Sequence, residues 1–122
     1  MTNRSLCKKF LEDHFKVPFK KTMTNGYVID LYNKDLMVGV MCNSIHHYKY
    51  SPRFHKTYSK FMTLKCKDKL RERDCSIMGI ELYTLSYDIE CVTGMMRRRL
   101  SIPNDCCCRE CLLYDSIIAE GI

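Results

Sequence analysis

Two imidazoles and a lysine follow directly on an apolar run. His46, His47 and Lys49 lie in Ile45-His46-His47-Tyr48-Lys49-Tyr50, just after Leu36-Met37-Val38-Gly39-Val40-Met41-Cys42. Histidine titrates near neutrality and ligates borderline metals, so a pair at such a corner is a candidate for acid–base or metal chemistry. One acid, Asp30, lies in the preceding run Tyr27-Val28-Ile29-Asp30-Leu31-Tyr32. A second group is Cys106-Cys107-Cys108-Arg109-Glu110-Cys111, whose Cys108-x-x-Cys111 spacing suits a thiolate pair on a tetrahedral Zn²⁺. The plainer readings are hydrogen-bonded corner histidines, a satisfied acid at a strand end, and a Cys-rich turn that is inert or disulfide-forming. A zinc site needs a second ligand pair, and none stands at a recognisable spacing. No Ser/His/Asp arrangement, P-loop or dinucleotide fingerprint competes with these groups.

The elements that must position them follow from periodicity. Leu6, Phe10, Leu11 and Phe15 give one apolar stripe, so a helix capped at Asn3 or Ser5 is predicted to run to about Phe15 and to pack on a sheet. Val17-Pro18 ends it, and Lys20-Lys21 reads as a loop. Tyr27 to Tyr32 and Leu36 to Cys42 read as a buried hairpin, broken at Asn33-Lys34. Gly39 within the second strand signals close approach of another backbone, which a covering helix would supply. A long helix from about His55 to Ile77 is expected to bury Tyr58, Phe61, Met62 and Leu70, with Met78 just beyond, and to expose Lys56, Lys60, Lys67, Arg71 and Arg73. Gly79 caps it, and Ile80 to Tyr87 alternates as a strand parallel to its neighbour. Glu90 to Leu100 and Leu112 to Ala119 read as two further helices.

The chain has 122 residues and a net charge of +6, distributed as +3 over residues 1–46, +7 over 47–73 and −4 over 74–122. A positive stretch that follows directly on the histidine corner is the footprint of a polyanion partner, against the commoner solvated helix face. The candidate nucleic-acid contacts are Lys49, Arg53, Lys56, Lys60, Lys67, Lys69, Arg71 and Arg73. Tyr48, Tyr50 and Tyr58 interleave with them, either to stack on unpaired bases or to pack half-buried. Arg97-Arg98-Arg99 divides between phosphate binding and a solvent-exposed match to a helix C-terminus. Of the nine cysteines, Cys7, Cys42, Cys66 and Cys75 fall at positions that look like core. No run approaches about 18 apolar residues and no signal-peptide pattern opens the chain, so neither membrane insertion nor secretion is suggested.

The segments Ile29-Asp30-Leu31-Tyr32-Asn33, Met37 to Tyr50, Phe54-His55-Lys56, Lys67-Asp68-Lys69-Leu70-Arg71, Cys75, Gly79-Ile80-Glu81-Leu82 and Ser86-Tyr87-Asp88-Ile89 resemble a group of restriction-endonuclease-like proteins of large DNA viruses. That group belongs to the PD-(D/E)XK superfamily, near the very-short-patch-repair type, and the resemblance covers roughly residues 4 to 90. Ser86 stands where the group usually has proline. Its second strand usually ends in glutamate, an aromatic, Asp or Asn, glycine, any residue and Gln-His; here these positions read Met41, Cys42, Asn43, Ser44, Ile45, His46 and His47. Nucleases of the superfamily hold Mg²⁺ between an aspartate and that glutamate. The resemblance therefore implies that Asp30 keeps one ligand, while Met41, a soft neutral donor, cannot replace the other. Glu12, Asp68 and Glu72, or His46 with His47 on a softer metal, are the conceivable replacements, each with a structural alternative.

The expectation is an α+β or α/β domain with a small mixed sheet and flanking helices over residues 1–90, and a Cys-rich helical extension over 91–122 packed on it. Functionally it is a viral protein with a degenerate nuclease fold, non-catalytic and DNA-binding, of the host cytoplasm or nucleus. A virion structural or interaction protein that contacts other viral proteins is the alternative, and a Mg²⁺-dependent endonuclease the second.

Overall fold

The computed structural model describes residues 2–103 and 106–119; residues 104–105 and 120–122 of the expected extension lie outside the described residues. Helix α1 (Asn3–Phe15) is followed by strands β1 (Lys20–Thr24), β2 (Tyr27–Asn33) and β3 (Val38–Cys42). A 3-10 turn (Ile45–His47) and a one-turn helix α2 (Pro52–His55) lead to the long helix α3 (Tyr58–Ile77). Strand β4 (Glu81–Leu85) and helices α4 (Val92–Arg99) and α5 (Arg109–Ala119) complete the chain. The four strands form one mixed sheet in the order β1-β2-β3-β4, antiparallel except for the parallel β3–β4 pair that α3 connects. The protein is therefore an α+β domain with a mixed sheet and flanking helices.

The local chemistry accounts for most boundaries. The cap of α1 is Thr2, whose hydroxyl accepts from Ser5 N–H at 3.1 Å, rather than Asn3 or Ser5. Strand β1 replaces the expected loop at Lys20-Lys21. It is polar because it is an edge strand, where lysines discourage pairing with another chain. The signal for it was Asn25-Gly26, both at positive φ (49° and 80°), a two-residue hairpin turn whose twist matches the strands. Between β2 and β3, Asn33 Oδ1 accepts from the amides of Asp35 (3.1 Å) and Leu36 (3.0 Å), which fixes the reversal. Gly79, at φ 80°, stops α3.

The sheet carries apolar residues on both faces, as strands covered on both sides must. On one face, Leu31, Val38, Val40 and Leu85 pack with Cys7, Phe10 and Leu11 of α1 and with Val92 and Met96 of α4. On the other, Ile29, Tyr32 and Met41 pack with Cys75 of α3 and with Ile80. Of the stripe expected on α3 only Phe61 is buried: Tyr58, Met62 and Leu70 are exposed and Met78 is half-buried, while Arg71 and Cys75 are the helix's other buried residues. Cys66, expected in the core, is exposed, whereas Cys7 and Cys75 are buried and Cys42 is half-buried. Gly39 is needed because side chains, rather than another backbone, close over it. A Cβ there would lie 2.9 Å from Ile29 Cγ2 and 3.2 Å from Tyr32 Cδ1. Gly39→Ala should lower unfolding stability by about 1–3 kcal/mol, the usual cost of overpacking, as read by urea denaturation.

Candidate nucleic-acid interface and thiol cluster

The strand end that carries the resemblance is closed by protein groups. The β2–β3 ladder runs only from Leu31↔Val40 to Asn33↔Val38. Just past it, the Cys42 N–H takes the Asp30 side chain as acceptor, Oδ2 at 2.8 Å, and Arg4 Nη2 donates to the Asp30 carbonyl at 3.2 Å. Asp30 thus does the work of a missing backbone carbonyl. Met41, where the resemblance expects glutamate, is buried in the apolar cluster with Ile29, Tyr32, Cys75 and Ile80. Burial, reinforced by the Asp30 charge, pushes the Cys42 thiol up to about 11, so it is no ready nucleophile at neutral pH. Glu12 is committed as well: its Oε2 accepts from Phe19 N–H at 2.9 Å, where the chain turns from α1 into β1.

The histidine corner is built around a residue the sequence reading did not single out for a role. His55 is buried, with Nε2 2.8 Å from the His46 carbonyl and Nδ1 accepting the Ser51 N–H at 3.0 Å. One neutral tautomer satisfies both, so His55 ties the strand exit to α2. Rings gather about it: Tyr50, Phe54 and Phe61 have centroids within 5.9 Å, and His46 stacks on Phe54 at 3.7 Å. His47 Nδ1 pairs with Asp68 Oδ2 at 2.8 Å, and the other oxygen of Asp68 takes Arg71 Nη2 at 3.1 Å. Asp68 and Arg71 are therefore one half-buried ion pair rather than a spare metal ligand and a phosphate contact. Glu72 is exposed on α3.

The basic set does not form one surface. Residues advance roughly 100° each around a helix, so Lys60 and Lys67 share a side of α3, while Lys69 lies about 180° from Lys60 and Arg73 close to Lys69. Arg71 is buried, and Arg73 is paired with Asp74 at 3.1 Å. What remains together is compact. Lys60 and Lys67 line a shallow depression of about 330 Å³ with His55, Thr63 and Leu64. Lys49, Arg53 and Lys56 are exposed in the segment leading to it, along with the rings of Tyr48, Tyr50, Phe54 and Tyr58.

The second site is sulfurous. Cys91, Cys106, Cys108 and Cys111 have their Sγ atoms all within 4.8 Å of one another. They are, among the described residues, the one group of three or more His, Cys, Asp or Glu side chains placed to share a metal ion. Asp30, His46 and His47 form no such group. Cys91 caps α4, while Cys108 directly precedes α5 and Cys111 is buried in its first turn. Glu110 joins the segments, its two oxygens accepting from the amides of Glu90 and Cys91 at 3.0 Å each. Hydrogen bonding from the Cys111 N–H brings the Cys108 thiol down to about 7, whereas burial raises Cys91 and Cys111. The sequence showed the Cys106–Cys111 run with the pair Cys108 and Cys111; the fourth partner, Cys91, comes from chain path, which spacing does not reveal.

The arginine triplet is neither phosphate-facing nor a solvated cap. Arg97 sits over the Phe10 ring at 5.4 Å, Arg98 is clamped by Asp115 at 2.6 and 2.9 Å, and Arg99 donates to the Thr84 carbonyl. Among the described residues, no helix is long and apolar enough to cross a membrane.

Against this geometry stand two similarities to viral proteins. The chain is 31% identical over 93 aligned residues to the uncharacterized protein 033L of Invertebrate iridescent virus 3, covering 69% of this chain and 48% of that protein. It is 31% identical over 119 aligned residues to the uncharacterized protein 307L of Invertebrate iridescent virus 6, covering 78% and 60%. The chain thus spans about half to three fifths of the length of these relatives. No family model matches it, and no solved structure does.

If Asp68 and Arg71 are a structural pair, removing one partner is worse than removing both. Asp68→Leu should cost about 3 kcal/mol by leaving Arg71 buried and uncompensated, and the Asp68→Leu/Arg71→Met double variant should recover most of it. Additive losses in urea denaturation would contradict the pairing.

Proposed function

We propose that the chain is a non-catalytic nucleic-acid-binding module on a degenerate restriction-endonuclease-like fold, which holds a single strand against the surface from Tyr48 to Lys67. One observation carries this reading: exposed aromatic rings and exposed cations are interleaved on one compact corner. Tyr50, Phe54 and Tyr58 are 38%, 56% and 60% exposed, although each ring touches the cluster around His55 or Phe61. Rings held from behind and open in front are stacking platforms, worth about 1–3 kcal/mol per stacked base. Lys49, Arg53, Lys56, Lys60 and Lys67 supply the charge for the backbone that links those bases.

The same reading leaves out hydrolysis. Asp30 is occupied by the Cys42 amide, and Met41 lies in an apolar cluster where an added carboxylate would lack a partner. Metal chemistry in this reading is confined to the C-terminal thiols. Similarity to iridescent-virus proteins supports a viral origin, and the proposal places the module in the infected host cell, in its cytoplasm or nucleus.

A second reading, an interaction or structural component of a particle that contacts other viral proteins, has α5 in its favour. Leu112, Leu113, Ile117 and Ile118 are all about half exposed there.

Anisotropy titrations of labelled single-stranded and duplex DNA at two salt concentrations test the proposal. Single strands should bind tighter. Lys60→Gln and Lys67→Gln should each reduce the slope of log K against log salt by about 0.7, and Phe54→Ala or Tyr58→Ala should weaken binding by about 1–3 kcal/mol. Lys69→Gln and Arg73→Gln should change little. Absence of binding at low salt would favour the second reading, and Mg²⁺-dependent cleavage by the purified wild-type chain would overturn the non-catalytic assignment.

A further inference from the structure

We propose that Cys91, Cys106, Cys108 and Cys111 bind one Zn²⁺ ion in a four-thiolate site that fastens α5 to the body of the domain. A tetrahedral zinc with Zn–S bonds of about 2.3 Å places its sulfurs about 3.8 Å apart. The sulfurs of Cys91 and Cys106 are 3.8 Å apart, and those of Cys91 and Cys111 are 3.6 Å apart. These separations match the edges of a zinc tetrahedron and are far beyond the roughly 2.05 Å of a disulfide. Four thiolates are soft donors that select zinc over the hard cations.

Two of the sulfurs also receive backbone N–H groups. Cys91 receives the Gly94 N–H and Cys108 receives the Cys111 N–H, both from the first turns of helices α4 and α5. A second, independent observation is Arg98. Its side chain is only 10% exposed, it donates through Nη2 to the Cys106 carbonyl at 3.0 Å, and its Nη1 is buried with no partner among the described residues. Asp115 takes Nε and Nη2 of this guanidinium and leaves Nη1 over; zinc with four thiolates carries a net charge of −2, which adds negative charge beside that unpaired donor where four neutral thiols add none.

The site also explains how α5 is held. Cys111 is its buried side chain, while its leucines and isoleucines are exposed, so apolar burial contributes little there. Cys91 belongs to the body of the domain, and the other three ligands belong to the C-terminal segment. One ion therefore spans the junction that Glu110 and Asp115 bridge by hydrogen bonds. This inference is independent of nucleic-acid binding, since no residue of the Tyr48–Lys67 surface takes part.

The full chain, purified under reducing conditions, should contain one zinc per molecule by elemental mass spectrometry. Cys107→Ser, at an exposed cysteine outside the cluster, should retain it, whereas Cys111→Ser should lose it. In case Cys111→Ser does not fold, wild-type apoprotein should be titrated with Co²⁺. The sulfur-to-cobalt charge-transfer band of a four-thiolate site should appear at one equivalent and vanish on adding Zn²⁺, and Arg98→Gln should weaken Co²⁺ binding about 10-fold. Loaded protein should protect residues 106–119 from proteolysis, with protection lost on chelation. A chain that carries no zinc and takes up no Co²⁺ in reducing buffer, or that carries iron instead, overturns the proposal. So does a Cys107→Ser variant that loses zinc as fully as Cys111→Ser.

Discussion

Strand β3 is buried along its whole apolar length on both faces, and the remaining elements are arranged to keep it so. Val38 and Val40 face α1 and α4, while Gly39 and Met41 face the side of α3. A strand in that position cannot leave an amide unpaired, because no water reaches it to compensate. Where the β2 ladder stops, the Asp30 carboxylate completes the pairing at Cys42. The acid of a would-be metal site is therefore part of the hydrogen-bonding of the sheet. Removing it would disturb the fold before it bore on any chemistry.

The covering of β3 also sets the shape of the opposite face. Helix α3 is long but only weakly amphipathic, touching the core through Phe61 near its start and through Arg71 and Cys75 near its end. Arg71 can be buried because Asp68, one turn earlier, answers it and reaches on to His47 at the strand exit. At the other end, His55 is the hub: its two ring nitrogens close the turn, and its faces seat the rings that remain open to solvent. Structural demands at this corner thus produce an exposed aromatic surface backed by ring contacts, and the neighbouring lysines make it cationic.

Helix and strand periods were enough to place α1, the β2–β3 hairpin, α3 and the parallel return into β4. What escaped them is physical. Lys20-Lys21 looked like a loop because an edge strand needs no apolar alternation. Arg71 looked exposed because side-chain type outweighs position in a charge-rich helix, and its partner lies three residues away on the same helix. Arg97, Arg98 and Arg99 looked solvated because their acceptors, the Phe10 ring, Asp115 and the Thr84 carbonyl, are 15 or more residues distant in the chain for Arg98 and Arg99, and on α1 for Arg97. His55 and Cys91 carry no local signal at all; their roles arise when the chain returns to them.

The charge asymmetry of the chain then acquires a structural meaning. The middle third keeps most of its cations exposed, though on different sides of α3, while Arg71 and Arg73 are paired with Asp68 and Asp74. In the acidic C-terminal third, Glu110 is spent on two backbone amides and Asp115 on Arg98, so acids there pull segments together rather than repel a ligand. Such contacts are polar and partly exposed, hence weakened by salt, whereas the apolar clusters on the two faces of the sheet are not. The two regions accordingly answer to different conditions. Ionic strength loosens the C-terminal helix and any polyanion contact alike, but only the C-terminal helix has thiols to hold it when those charges are screened.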